Sequence, residues 1–121
     1  MAHRILIVDD EPNIVISLEY LLKKEGFEVK VATDGDSALL QAAEFRPDLV
    51  LLDVMMPKKS GFEVCESLRA DATLADLKII MLTAKGRETE VTKGLALGAN
   101  AYITKPFSTK DLVARIKTLL A

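Results

Sequence analysis

Residues 49–53 read LVLLD, four consecutive apolar side chains that end on a single carboxylate, Asp53. A run without polar alternation has no solvent-facing side, so it fits a strand buried on both faces. Turn-prone residues come next, with Pro57 and Gly61 among them. Asp53 therefore sits where an interior strand leaves its sheet. A carboxylate there either caps the following loop or is a reactive group held on a rigid floor.

Four further short apolar runs flank this one, at 5–8, 27–32, 78–82 and 99–104. The segment 27–32 alternates, as a strand with one less buried face does. Between the runs the apolar spacing becomes helical. Pro12 favours the first turn of a helix carrying Val15, Leu18, Leu21 and Leu22, and Gly26 stops it. Asp34-Gly35-Asp36 offers turn and cap chemistry before a helix with Leu39, Ala42 and Ala43, which Pro47 closes. Val64, Cys65 and Leu68 predict a short helix to about Arg69, and 71–76 a loop with a broken turn. The stretch 86–97 has a thin apolar face, chiefly Val91 and Leu95, and contains Gly94, which costs a helix about 1 kcal/mol relative to Ala. Leu112, Val113, Ile116, Leu119 and Leu120 form a last amphipathic helix with Ser108 or Thr109 as its cap. Five strands alternating with five helices predict a single α/β domain over 1–121. It is a doubly wound parallel sheet with helices on both faces and right-handed crossovers. Ligands of such sheets bind at the carboxyl ends of the strands.

Composition narrows the chemistry. Lys and Arg total 16 and Asp and Glu 18, so 16 − 18 = −2, which argues against a nucleic-acid-binding domain. Cys65 is the only cysteine and His3 the only histidine. Disulfide frameworks, Cys-based metal sites and most zinc constellations are thereby removed, and His3, near a chain end, reads as an exposed bystander. No run is long enough to span a membrane, and no signal-peptide pattern is present, so a cytoplasmic setting is the expectation.

The residues that terminate the strands are more telling. The first ends on Asp9 and Asp10, the third on Asp53, the fourth on Thr83 and the fifth on Lys105. A parallel sheet brings all of them to one edge. Each has a plain reading alone: Asp10 or Glu11 as a helix cap, Asp53 as an Asx turn, Thr83 as a cap, Lys105 as a surface lysine. Together they form a cluster of carboxylates whose mutual repulsion needs a cation. Oxygen ligands without His or Cys favour Mg²⁺ over Zn²⁺.

These pieces resemble a known family. ILIVDDEP (5–12), DLVLLDVMMPKKSG (48–61), IIMLTAK (79–85) and AYITKPF (101–107) are similar to the receiver domain of bacterial response regulators, the CheY-like family, over essentially the whole chain. The resemblance implies a flavodoxin-like three-layer sandwich with strand order 2-1-3-4-5, an order known for this family. It implies a phosphorylation-activated switch of a two-component system, with Asp53 accepting a phosphoryl group from a histidine kinase or phosphotransfer protein. Asp10, Asp53 and the backbone carbonyl of Met55 would ligate Mg²⁺, with Asp9 acting through water. Thr83, the backbone N–H of Ala84, and Lys105 would bind the phosphoryl group, and the Lys105–Pro106 bond would be cis. Tyr102 matches the switch aromatic, so the output surface would be the fourth helix, fifth strand and last helix. Such a domain is not an enzyme, although it promotes its own phosphorylation and autodephosphorylation. Met55 and Lys85 occupy positions that influence phosphoryl lifetime in the family. Receivers tethered to winged-helix transcription factors commonly pair an acidic residue before the switch aromatic with an arginine in the last helix. Arg115 is present here, but Ala101 stands in place of the acidic residue and Val91 where those receivers tend to be basic, so a dimer of that type is not expected.

Other classes fit less well. A haloacid-dehalogenase-type phosphatase also uses an Asp nucleophile and Mg²⁺, but needs a second Asp where this chain has Met55. A flavodoxin-like flavin carrier needs a phosphate loop where this chain has the anion-repelling DDEPN. A degenerate receiver used only for docking would not need all five site residues.

Overall fold

A computed structural model of the chain describes residues 3–56, 59–84 and 88–121. Its elements are β1 (Arg4–Val8), α1 (Pro12–Lys24), β2 (Glu28–Ala32), α2 (Gly35–Phe45), β3 (Leu49–Asp53), α3 (Gly61–Ala70), β4 (Lys78–Ala84), α4 (Glu88–Ala96), β5 (Ala101–Lys105) and α5 (Thr109–Leu120). The strands form one parallel sheet in the order β2-β1-β3-β4-β5, the order the resemblance implied.

The unbroken apolar runs are explained by two cores, one on each face. Leu6 and Val8, Val50 and Leu52, and Ile79 and Met81 point to a core shared with α2 and α3. Ile5 and Ile7, Leu49 and Leu51, and Ile80 and Leu82 point to a core shared with α1 and α5. Each buried side chain of this size contributes roughly 1.5–3 kcal/mol. These three central strands are buried on both sides, whereas β2 and β5 lie at the edges and are partly open.

The helix ends carry the chemistry that fixes them. Asp34 accepts from the Ser37 N–H and caps α2, Ser60 accepts from the Glu63 N–H and caps α3, and Ser108 accepts from the Asp111 N–H and caps α5. Pro12 opens α1 as the sequence predicted. The loop predicted at 71–76 contains a 3-10 turn, Ala72–Leu74, held by Asp71. Far from the functional edge, Arg69 ties α3 to its neighbours. Its guanidinium donates to the Gly98 carbonyl at 2.8 Å and to Asn100 Oδ1 at 2.7 Å.

One expectation gains a reason and another needs correction. Gly94 is buried, and a Cβ there would lie 3.3 Å from Met81 Cγ, so this glycine lets α4 approach the sheet. Its helix cost is thus offset by packing. His3 is half-buried, with Nδ1 shielded from solvent, because β1 begins one residue later and draws it in. Among the described residues, no helix is long and apolar enough to cross a membrane.

Candidate functional site

Register places the site. Val8 pairs with Leu52, Asp53 with Leu82, Thr83 with Thr104 and Ala84 with Lys105. The residues at the carboxyl ends of β1, β3, β4 and β5 therefore meet at one level. Asp9 is fully buried, Asp53 is 6% exposed and Thr83 is buried, while Asp10 faces solvent. Carboxylate oxygens of Asp9, Asp10 and Asp53 all lie within 4.8 Å of one another. Lys105 reaches into this group, with Nζ 2.9 Å from Asp9 Oδ2, 3.1 Å from Glu11 Oε1 and 3.5 Å from Asp53 Oδ1.

The electrostatics are set by burial. Asp53 is pushed up from 3.8 to about 6, first by desolvation and next by the charge of Asp9, against the lowering pull of Lys105 and the Met55 N–H. Lys105 is held above the ordinary lysine value. Burial pulls it down, but the hydrogen bonds to Asp9 and Glu11 and the charges of Asp53 and Asp9 outweigh this. One ammonium faces four carboxyl groups, Asp9, Asp10, Glu11 and Asp53, so the fully ionised cluster carries 1 − 4 = −3. The donor set is hard oxygen only, with no His or Cys among the described residues around it. Such a set, short of positive charge, suits a divalent cation of the Mg²⁺ kind.

The local backbone is arranged around Asp53. Its Oδ1 accepts from the Met55 N–H at 3.3 Å, the Asx geometry expected of this residue taken alone. The chain then returns, and the Gly61 N–H donates to the Val54 carbonyl at 2.8 Å. Gly61 lies directly against the Asp53 carbonyl oxygen, which leaves no room for a Cβ. Gly35, at the start of α2, is covered in the same way by Lys59. Met55 is 61% exposed at the rim. An apolar group stands where a dehalogenase-type phosphatase would need its acid.

Every site residue predicted from a strand end and described by the structure lies at this edge. Thr83 and Ala84 close β4, and Lys105 closes β5 with a cis bond to Pro106. Tyr102 lies on β5, 40% exposed, and its carbonyl accepts from Arg115 Nη1 at 3.4 Å. Lys85, read as influencing phosphoryl lifetime, falls outside the described residues. Capping by Asp10 or Glu11 is not seen: Glu11 stands at the N-cap of α1 without a side-chain cap bond, and Asp9 Oδ1 accepts the Glu11 N–H instead, at 2.9 Å. Two contributions went unread. Glu11 is an acidic partner of Lys105, and Gly61 is a close-approach glycine. The first is signalled only by a third consecutive acid, and the second by glycine at a helix start.

A layered parallel sheet with three aspartates and a lysine at its carboxyl edge defines a receiver. The chain belongs to the response regulator receiver domain family, whose model matches residues 5–117. Among its relatives is the alkaline phosphatase synthesis transcriptional regulatory protein PhoP of Bacillus subtilis (strain 168), 48% identical over 120 residues. That match covers 99% of this chain and 49% of PhoP, so the chain spans about half the length of this curated relative. A crystal structure presented as a response regulator from Chloroflexus aurantiacus J-10-fl superposes with a TM-score of 0.95 at 38% identity, covering 99% of this chain and 98% of the other. The chemotaxis response regulator CheY4 of Vibrio cholerae gives a TM-score of 0.93 at 31% identity, covering 98% and 99%. The chain is thus a signalling domain of a two-component response regulator, with an acidic pocket at Asp9, Asp10 and Asp53.

Proposed function

We propose that residues 1–121 act as one receiver domain, switched by a phosphoryl group on Asp53. The observation that carries this reading is Lys105 Nζ held beside both Asp9 and Asp53 at the rim of the acidic pocket. A carboxylate oxygen of Asp53 attacks the phosphorus of a phosphohistidine on a kinase or phosphotransfer protein. The P–N bond breaks and the imidazole leaves with its electron pair, taking up a proton. Such transfer needs in-line placement and charge neutralisation more than proton transfer, so no local histidine is required. Asp10, Asp53 and the Met55 carbonyl would hold Mg²⁺, with Asp9 acting through water. Bound there, the ion offsets the charge that builds on the phosphoryl oxygens. Lys105, the Thr83 hydroxyl and the Ala84 N–H bind those oxygens. Asp53 must be ionised to attack, and its raised value leaves most of it so at neutral pH.

The phosphoryl group carries about −1.5 to −2 charge beside Thr83, in place of the roughly −1 of the free carboxylate. Thr83 moves toward it, and Tyr102 turns into the space this leaves, favouring one of two existing conformations. The readout surface is α4, β5 and α5. It includes a groove of about 270 Å³ lined by Tyr102, Pro106, Phe107 and Arg115, among others. Tyr102→Ala should leave Asp53 phosphorylation intact while abolishing the chemical-shift response of α4 to phosphorylation in heteronuclear NMR spectra. An unchanged α4 response would remove Tyr102 from the switch.

Incubation with Mg²⁺ and acetyl phosphate, followed by intact mass, tests the whole reading. A single phosphoryl adduct should form, vanish with EDTA and vanish in Asp53→Ala. A protein that takes up neither the phosphoryl group nor Mg²⁺ would instead be a docking module.

A further inference from the structure

Glu11 is the one acid of the pocket to which neither capping nor metal binding assigns a task. It is an N-cap residue that caps nothing, and its side chain is 58% exposed at the solvent side of the site. The backbone holds it there, because the Glu11 N–H is tied to Asp9 Oδ1 at 2.9 Å. Its Oε1 accepts from Lys105 Nζ at 3.1 Å, while Asp9 Oδ2 accepts from the same nitrogen at 2.9 Å. Asp53 Oδ1 stands farther off, at 3.5 Å. An ammonium has three donors, and two of them are thus engaged by carboxylates other than the phosphoacceptor.

Building on the phosphoacceptor role of Asp53, we propose that Glu11 is a positioning residue that restrains phosphorylation by sharing Lys105 and placing a negative charge at the mouth of the site. A phosphoryl group on Asp53 draws on the same ammonium. An anionic donor must also approach past the Glu11 carboxylate. Both effects oppose the phosphorylated state, and both are electrostatic, so salt screens them.

Glu11→Gln removes the charge and keeps an acceptor oxygen. Phosphorylation by acetyl phosphate is measured at low ionic strength with saturating Mg²⁺. The donor concentration at half-maximal rate should fall about two- to five-fold, the scale of an exposed ion pair. The gain should shrink in about 0.5 M salt. Glu11→Asp should restore part of the restraint, and the melting temperature should stay within a degree or so, as for other exposed substitutions. A Glu11→Gln protein that behaves like wild type at low salt, or that needs more donor, overturns the inference alone. A wild-type protein that takes no phosphoryl group from acetyl phosphate overturns the phosphoacceptor role itself, and this inference with it.

Discussion

Gly61→Ala should destabilise the protein by roughly 2–4 kcal/mol, as an overpacked contact with no flexible partner does. The added Cβ would overlap the Asp53 carbonyl oxygen and lie 2.8 Å from Val54 Cα and 2.9 Å from the Asp53 carbonyl carbon. All three are backbone atoms, so no rotamer change relieves the clash. Either α3 moves away or the end of β3 shifts, and the second outcome displaces the phosphoacceptor. Urea denaturation gives the stability change, and phosphorylation of the folded fraction should fall with it. Gly26 is the contrast. It has φ of 93° with nothing within 4 Å of a built Cβ, so Gly26→Ala should cost only about 1 kcal/mol of backbone strain. Equal losses at the two positions would mean that the close approach to Asp53 is not what Gly61 provides.

Asp53→Asn should stabilise the metal-free protein at neutral pH. The folded protein holds the Asp53 carboxyl at about 6 against an ordinary 3.8, so the native state binds its proton more tightly than the unfolded chain. Stability contributed by this group therefore rises as pH falls from about 6 toward 3.8, and above 6 the buried charge is a cost. Two pH units correspond to about 3 kcal/mol. That figure already includes the opposing pull of Lys105, and relaxation around the buried carboxylate trims the gain to roughly 1–3 kcal/mol. In EDTA at pH 7.5 the variant should melt several degrees above wild type, and the gap should close as pH approaches 4. Added Mg²⁺ should narrow it too, because the ion stabilises only the protein that binds it. A lower melting temperature for the variant at pH 7.5 would show that Asp53 is well solvated or fully paired.

The layered architecture was readable because periodicity is a direct trace of burial. Leu49 to Leu52 lack alternation because their side chains enter two cores in turn. Convergence of Asp9, Asp10, Asp53, Thr83 and Lys105 was equally readable, since parallel strands bring all carboxyl ends to one edge. The neighbour order of the strands was not, because nothing in a strand's own residues names its partner. That order came from family resemblance, as did the cis bond before Pro106. What stayed hidden depends on distances between separate segments. Glu11 beside a helix start looks like a cap until Lys105, 94 positions on, is seen to reach it. Gly94 looks like a weak point in α4 until Met81 is placed against it, and Gly61 looks like a turn residue until the chain is seen to cross Asp53.

The most direct measurement locates the phosphoryl group itself. Protein phosphorylated with acetyl phosphate and Mg²⁺ is reduced with borohydride, which converts an aspartyl phosphate to homoserine, and is then digested and sequenced by tandem mass spectrometry. Homoserine at position 53, and at no other aspartate, is the predicted result. Homoserine at Asp9 or Asp10 instead, or none at all in protein that binds Mg²⁺, would contradict Asp53 as the phosphoacceptor.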